Sequence, residues 1–261
     1  MQINLKFFQK YPNVGDRFSL KLAEHYFGPD IVPCDHSALP RPNLILAGSI
    51  LEWSDAMSHI CGAGFLTSES TLSVAPGSIH CVRGPLTALS LEKQGINCPD
   101  VFGDPGALAS VIFPPKQFPD RSIGIVPHYV DKAASWVAAC RERQWPIIDV
   151  FSPLDEFFQA FQRCEVILSS SLHGIVFAHA YGKRALWIEL SDKVLGDGFK
   201  FFDYYSSIGV SPEQVTRLRV TDEMDPGEIA GLATAGDHTQ LLGSLQIAIA
   251  EAKRELQAAC P

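Results

Sequence analysis

The segment SSSLHGIVFAHAYG (169–182) sets three hydroxyls and an imidazole ahead of a run that is apolar on all faces at helical spacing. A helix start leaves backbone N–H groups unpaired and carries roughly half a positive charge, which suits an anion. Ser170 and Ser171 add hydroxyl donors, the amides of Leu172, His173 and Gly174 fall in the first turn, and His173 adds a cationic donor when protonated. A serine N-cap with a histidine that only satisfies backbone would look the same. Two features favour the anion. A helix as apolar as IVFAHAYG begins against another part of the protein rather than in water. And Arg83 ends the strand-like run SIHCV, where a buried guanidinium must meet a carboxylate, such as Asp104 or Asp16, or an anionic ligand.

The elements that must position these groups alternate strand and helix along the chain. NVGD (13–16) offers Asp16 as an N-cap for a helix RFSLKLAEHYF, stopped by Gly28. PNLILAGSI (42–50), SHICGAGF (58–65) and SIHCVRG (78–84) read as short buried strands ending in small residues. Pro85 opens a helix closed by Gly95, and INCPDVFGDPGAL (96–108) reads as a further strand and turn. The proline-rich FPPKQFPD (113–120) then breaks the pattern. Strands SIGIVPHY, PIIDV, EVILSS and RALWIEL alternate with helices after it, and a terminal helix carries Leu241, Leu242, Leu245, Ile249 and Leu256 on one face.

Such alternation predicts an α/β protein of two Rossmann-like domains with parallel sheets, 1–117 and 118–261, and a ligand crevice between them. The residues after each strand are therefore the ones to interrogate: 13–16, 48–49, 62–64, Arg83-Gly84, Gly103-Asp104, His128 and 169–174. Their spacing gives neither GxGxxG nor GxxxxGK[ST], so no dinucleotide fingerprint or P-loop is present.

Composition narrows the function. The net charge of −8 argues against nucleic-acid binding, so an anionic ligand needs a locally positive pocket. The N-terminal residues hold no secretory pattern, and no apolar run reaches the length of a membrane span. The seven cysteines are scattered without a CxxC pair and read as reduced cytoplasmic thiols. Cys34-Asp35-His36 lacks a second cluster at ligand spacing, so no metal is expected there, and no cofactor is called for.

Taken together, NVGDRFSLKLAEHYF (13–27), GSIL (48–51), GAGF (62–65), VRGPLTALSLEKQGINCPDVFGDPGAL (82–108), VPHYVDK (126–132), SSLHGIVFAHAYGKRALWIEL (170–190) and DKVLGDGFKFFDYYSSIG (192–209) resemble the polysaccharide pyruvyltransferases. The likeness is to the short bacterial members that place pyruvate ketals on exopolysaccharide repeat units, of the xanthan and succinoglycan type. It implies a glycosyltransferase-B-like pair of domains, with phosphoenolpyruvate as donor and two hydroxyls of a terminal hexose as acceptor. It also implies that Arg83 and His173 hold the anionic groups of the donor. The acceptor would be a lipid-linked oligosaccharide or polysaccharide, met in the cytoplasm with peripheral contact at the inner membrane.

That chemistry must clamp two anions, protonate the enol carbon and take protons from hydroxyls. Lys200, in GFKFFDYY, is a further candidate phosphate ligand. His173, Asp16, Asp104, His128 and Glu189 are candidates for proton transfer, with Asp16 and Asp104 equally readable as cap and turn residues. Trp53, Trp187, Tyr204 and Tyr205 are candidates for stacking on a sugar. A nucleotide-sugar glycosyltransferase of the same architecture, with Glu189 on a ribose, and a non-catalytic sugar- or phosphate-binding protein are the competing expectations.

Overall fold

A computed structural model describes residues 2–36, 41–118 and 122–259. The first half runs β1 (Ile3–Lys6), α1 (Val14–Phe27), β2 (Ile31–Cys34), β3 (Asn43–Ile45), β4 (Ser58–Cys61), β5 (Ser78–Cys81), α2 (Pro85–Glu92) and α3 (Ala109–Ile112). The second runs β6 (Ser122–Val126), α4 (Ser135–Glu142), α5 (Leu154–Gln162), β7 (Cys164–Ser169), α6 (Leu172–Ala180), β8 (Arg184–Glu189), α7 (Phe199–Ser207), β9 (Arg217–Arg219), α8 (Pro226–Ile229) and α9 (Thr239–Ala259). Among the described residues the strands form two all-parallel sheets, ordered β2-β1-β3-β4-β5 and β6-β7-β8-β9. Central strands of parallel sheets are covered on both faces, and β3 and the inner parts of β7 and β8 are accordingly buried runs of Leu, Ile, Val and Trp.

Both sheets wind the same way. Beyond β6, Ile147 makes a parallel bridge to Ile125, so the spatial order across the second sheet is the 147 segment, β6, β7, β8, β9. With that bridge counted as the second strand, each half follows the order 2-1-3-4-5, which reverses direction between its first and third strands. Chain segments leaving those two strands diverge to opposite faces and leave a hollow at their carboxyl ends.

Several expected elements differ. α1 begins at Val14, with Asn13 as its extended N-cap, so Asp16 is a first-turn residue rather than the cap. The reason is that Val14 N–H is taken by Val150 O from the second half, which fixes the entry of the helix three residues earlier. INCPDVF forms no strand; Phe102 makes one bridge to Val82 before Asp104 caps a 3-10 turn at Pro105–Leu108. PIIDV likewise contributes a single bridge, because Pro146 supplies no N–H for a ladder. β1 and β2, four residues each on either side of α1, are not among the expected strands. Residues 119 and 120 of the proline-rich break lie outside the described residues.

One hydrophobic core joins the two halves. Leu5, Phe18, Leu22 and Leu44 of the first half share it with Phe157, Phe158, Ile167 and Phe177 of the second. Every residue of α6 is buried, as its apolar faces foretold. α9 crosses back to pack Leu245, Ala248, Ile249, Ala252 and Leu256 into this same core, lying against β4 and β5 of the first sheet. Of the cysteines, Cys61, Cys81, Cys98, Cys140 and Cys164 are buried free thiols and Cys34 is half-buried, while Cys260 lies outside the described residues.

Candidate active site

A cavity of ≈ 320 Å³ opens where the two direction-reversal points face each other. The first half lines it with Asn13 and Asp16, which follow β1, and with Gly48, Ser49 and Trp53, which follow β3. The second half lines it with His128 and Tyr129, which follow β6, with Ser171, Leu172 and His173, which follow β7, and with Lys200 at the start of α7. Four strand ends thus converge on one space, and each contributes a polar group.

The α6 start is built to leave its first amides open. Ser171 sits in extended conformation as N-cap, and its side chain makes no cap bond. Ser169 Oγ instead closes the turn, accepting from Ser171 N and reaching Val126 O and Ser171 O. Ser170 is turned away from the ligand space: its hydroxyl donates to Asp131 Oδ2 at 2.7 Å and accepts from His128 N at 2.9 Å. Gly174 N–H is spent on Ser171 O, and a Cβ on Gly174 would lie 2.2 Å from Ser169 Oγ. What faces the cavity is therefore the Ser171 hydroxyl and the first-turn amides of Leu172 and His173, an anion-binding arrangement. Ser170 and Gly174 support that turn rather than line the cavity.

Opposite the α6 start stand a carboxyl and an ammonium, both nearly buried. Burial pushes the Asp16 carboxyl up to about 7, against a hydrogen bond from Asn13 Nδ2 (2.8 Å) and the charge of Lys200. Burial, with the charge of Arg83, pulls the Lys200 ammonium down to about 8, while Asp16 and Asp131 hold it up. Lys200 is thus no surface lysine; its side chain is confined by α7 against the cavity. His128 is held at about 3 by burial first, then by Lys200 and His173, so its ring is neutral at physiological pH. Its Nδ1 accepts from Val130 N at 3.4 Å, which leaves Nε2 as the N–H of the neutral ring. His173 is also kept neutral by burial, against the pull of Asp104, whose Oδ1 lies 3.8 Å from Nε2. Neither His173 Nε2 nor Asp104 Oδ2 has a hydrogen-bond partner, so the pair has spare bonding capacity. α1 packs so tightly on this ring that a Cβ on Gly15 would lie 2.1 Å from His173 Nδ1.

Arg83 does not line the cavity. Its Nε pairs with Asp203 at 2.9 Å, not with Asp104 or Asp16, and both side chains are fully buried. Its other nitrogens reach Phe65 O at 2.6 Å and Ser49 Oγ at 2.8 Å, and Ser49 does line the cavity. Asp203 also accepts from Thr87 N and Thr87 Oγ1, so one buried network ties α2 to α7 just behind Lys200. Asp104 spends Oδ1 on Gly106 N as the cap of its turn while its carboxylate still faces His173.

Of the other candidates, Trp53 lines the cavity. Trp187 stacks on Phe201 at 4.2 Å with its ring nearly parallel, and Tyr204 and Tyr205 are buried, Tyr204 against His179. Those three are core residues, because α7 is pressed onto β8 and α6. Glu189 faces a separate surface hollow and lies 3.6 Å from Arg217. Sequence reasoning missed Tyr129 and Asp131. Tyr129 adds an aromatic wall with Phe151 and Tyr11. Asp131 is buried and gathers Ser170 and Ser191 onto one carboxylate; its only signal was its place in the segment after β6.

A sequence model of the family described as polysaccharide pyruvyl transferase matches residues 26–192, which hold Arg83, Asp104, His128 and the 170–173 turn. The chain is similar to an uncharacterised protein of Acanthamoeba polyphaga mimivirus, 30% identical over 221 residues, covering 82% of this chain and 77% of that one. It is also similar to the succinoglycan biosynthesis protein ExoV of Rhizobium meliloti, 26% identical over 212 residues, covering 77% of this chain and 63% of that relative.

Proposed function

The chain belongs to the polysaccharide pyruvyl transferase family, and we propose that it moves pyruvate from phosphoenolpyruvate onto two hydroxyls of a terminal hexose as a ketal. The observation that carries this reading is the cavity at the two reversal points, where anion-holding groups and proton-transfer groups face each other. The relative named for succinoglycan biosynthesis supports an exopolysaccharide acceptor. On this reading the two sheets form a glycosyltransferase-B-like pair with the donor between them.

The donor's anionic groups are held by the amides of Leu172 and His173, the Ser171 hydroxyl and Lys200, which is largely protonated at pH 7. The protonated Asp16 carboxyl gives its proton to the methylene carbon as the enol π pair forms the new C–H bond, leaving an oxocarbenium centre at the middle carbon. The first sugar hydroxyl bonds to that carbon and passes its proton to the Asp16 carboxylate just formed, while His128 Nε2–H donates a hydrogen bond to the phosphate. The carbon–oxygen bond to phosphate then breaks, its electron pair leaving with the phosphate, which takes the proton from Asp16. The second hydroxyl closes the ring and returns a proton to Asp16. Atoms and protons balance as ketal plus inorganic phosphate. Asp104 positions His173, and Arg83 acts through Ser49 and through the Asp203 network behind Lys200.

Among the described residues no helix is long and apolar enough to cross a membrane. On the proposed reading, a lipid-linked acceptor is met from the cytoplasmic side, at the surface of the inner membrane.

The test is thermal unfolding with phosphoenolpyruvate or UDP, on wild type and on Lys200→Met, alongside phosphate release with a hexose-terminated acceptor. Ligand at about 100 times its Kd adds roughly 2.7 kcal/mol, a rise of several degrees. Phosphoenolpyruvate should give that rise in wild type alone, and UDP should give none. Stabilisation by UDP and not by phosphoenolpyruvate would move the protein to the nucleotide-sugar glycosyltransferases and sink the pyruvyl reading.

A further inference from the structure

Away from the cavity, at the β4–β5 edge of the first sheet, three side chains from distant parts of the chain aim at one point. His59 Nδ1 lies 3.2 Å from His80 Nε2. Glu255 Oε2, from the terminal helix, lies 3.6 Å from the first and 3.7 Å from the second. Three atoms with these separations share a centre about 2.0 Å from each, which is the bond length of zinc to imidazole nitrogen and carboxylate oxygen.

The backbone is shaped for this meeting. β4 and β5 pair Ile60 with Ile79 and Cys61 with Cys81, so His80 is the extra residue of a bulge with no partner on β4. Bulges of this kind re-aim a side chain. The two rings lie nearly parallel, 11° between planes. Ser78 Oγ donates to Glu255 Oε2 at 2.8 Å, fixing the carboxylate from behind as outer partners of metal ligands do. Both histidines are largely buried while Glu255 is about half exposed, so a fourth position is open to water.

We propose that His59, His80 and Glu255 form a binding site for a divalent transition-metal ion of the zinc class, with water as fourth ligand. Two imidazoles and a carboxylate, with a fourth position open to water, favour zinc over magnesium or calcium, which take oxygen ligands in larger shells. The site would pin α9 to the edge strands of the first sheet. It involves no residue of the cavity and stands or falls independently of the proposed reaction.

The test uses full-length, untagged protein stripped with chelator and titrated with Zn(II) against a chromophoric competitor, and with Co(II) followed by its visible d–d absorption. One equivalent should bind in wild type, with a tetrahedral Co(II) spectrum and a rise in Tm. The paired substitution His59→Gln, His80→Gln should abolish that equivalent. Glu255→Gln, on a half-exposed side chain that leaves the fold intact, should weaken it at least tenfold, and Glu255→His should restore it. His25→Gln, on the exposed face of α1, should change nothing. Failure of wild type to bind, or an equivalent that Glu255→Gln and the histidine pair leave untouched, would overturn the proposal in favour of a hydrogen-bonded triad.

Discussion

A carboxyl and an ammonium buried beside one cavity carry a cost that only a function explains, and the cost has a sign. Asp16 titrates near 7 in the folded protein, above the roughly 3.9 of an unfolded chain. Between those values the folded state holds a proton that the unfolded state gives up. The stability this confers is whole below about pH 4 and is lost as pH rises through about 7. Asp16→Asn, a neutral isostere, removes that loss. The variant should therefore be inactive yet more stable than wild type at alkaline pH, on the order of a few kcal/mol at about pH 8 and near parity at about pH 4. Denaturant unfolding across that range checks it; a constant gap at every pH would show that the Asp16 proton is not linked to folding. The same ionisation should place an inflection near pH 7 in kcat/KM, activity falling above it because the acid form starts the reaction. Asp16, His128 and His173 were legible as polar residues after strands. The burial of Lys200 was not, since nothing in GFKFFDYY tells that α7 folds down onto the cavity.

Elements meet at distances that leave little slack, and two contacts decide the site. The first turn of α1 touches the first turn of α6 through Gly15 and His173. Gly15→Ala puts a methyl into the imidazole, so His173 must leave its place beside Asp104. Overpacking of this kind costs about 1–3 kcal/mol, and activity should fall at least a hundredfold in protein that still folds; wild-type turnover in Gly15→Ala would show that the ring position is immaterial. The second contact joins the turn before α2 to α7 through Arg83 and Asp203, which are 120 residues apart and fully buried. Removing one member of such a pair strands the other, at about 3–5 kcal/mol. Arg83→Ala should thus lower the Tm by several degrees before any effect on donor binding is read, and Arg83→Ala with Asp203→Ala should recover part of it. An arginine at a strand end announces a partner but not which one, because the choice is made by packing between helices. The strand expected at INCPDVF shrinks to a single bridge at Phe102, since Pro99 has no N–H to give a ladder, while the turn after it is held by Asp104 accepting from Gly106 N–H.

Across the whole molecule the alternation of strands and helices was legible, since parallel strands buried on both faces read as short apolar runs. How the halves join was not. The two sheets share one core, α1 is entered through Val150 of the second half, and α9 returns from the end of the chain to lie on the first sheet. The proline-rich break marks a boundary between two domains facing each other, whereas contacts of such sequence separation leave no local trace. This arrangement makes a thermodynamic prediction. If the halves were independent, calorimetry would resolve two transitions, and a change in one half would move only one of them. With a shared core, unfolding should be a single transition whose calorimetric and van't Hoff enthalpies agree. Leu245, fully buried on α9 and packed on Gly103 beside Asp104, is the sharpest probe. Leu245→Ala should cost about 2–5 kcal/mol by the cavity it leaves, and the whole transition should shift as one. A split into two peaks would mean that α9 stabilises the first sheet alone. The cavity at the two reversal points would then open and close with the swing of one half, instead of being held by the core that both halves share.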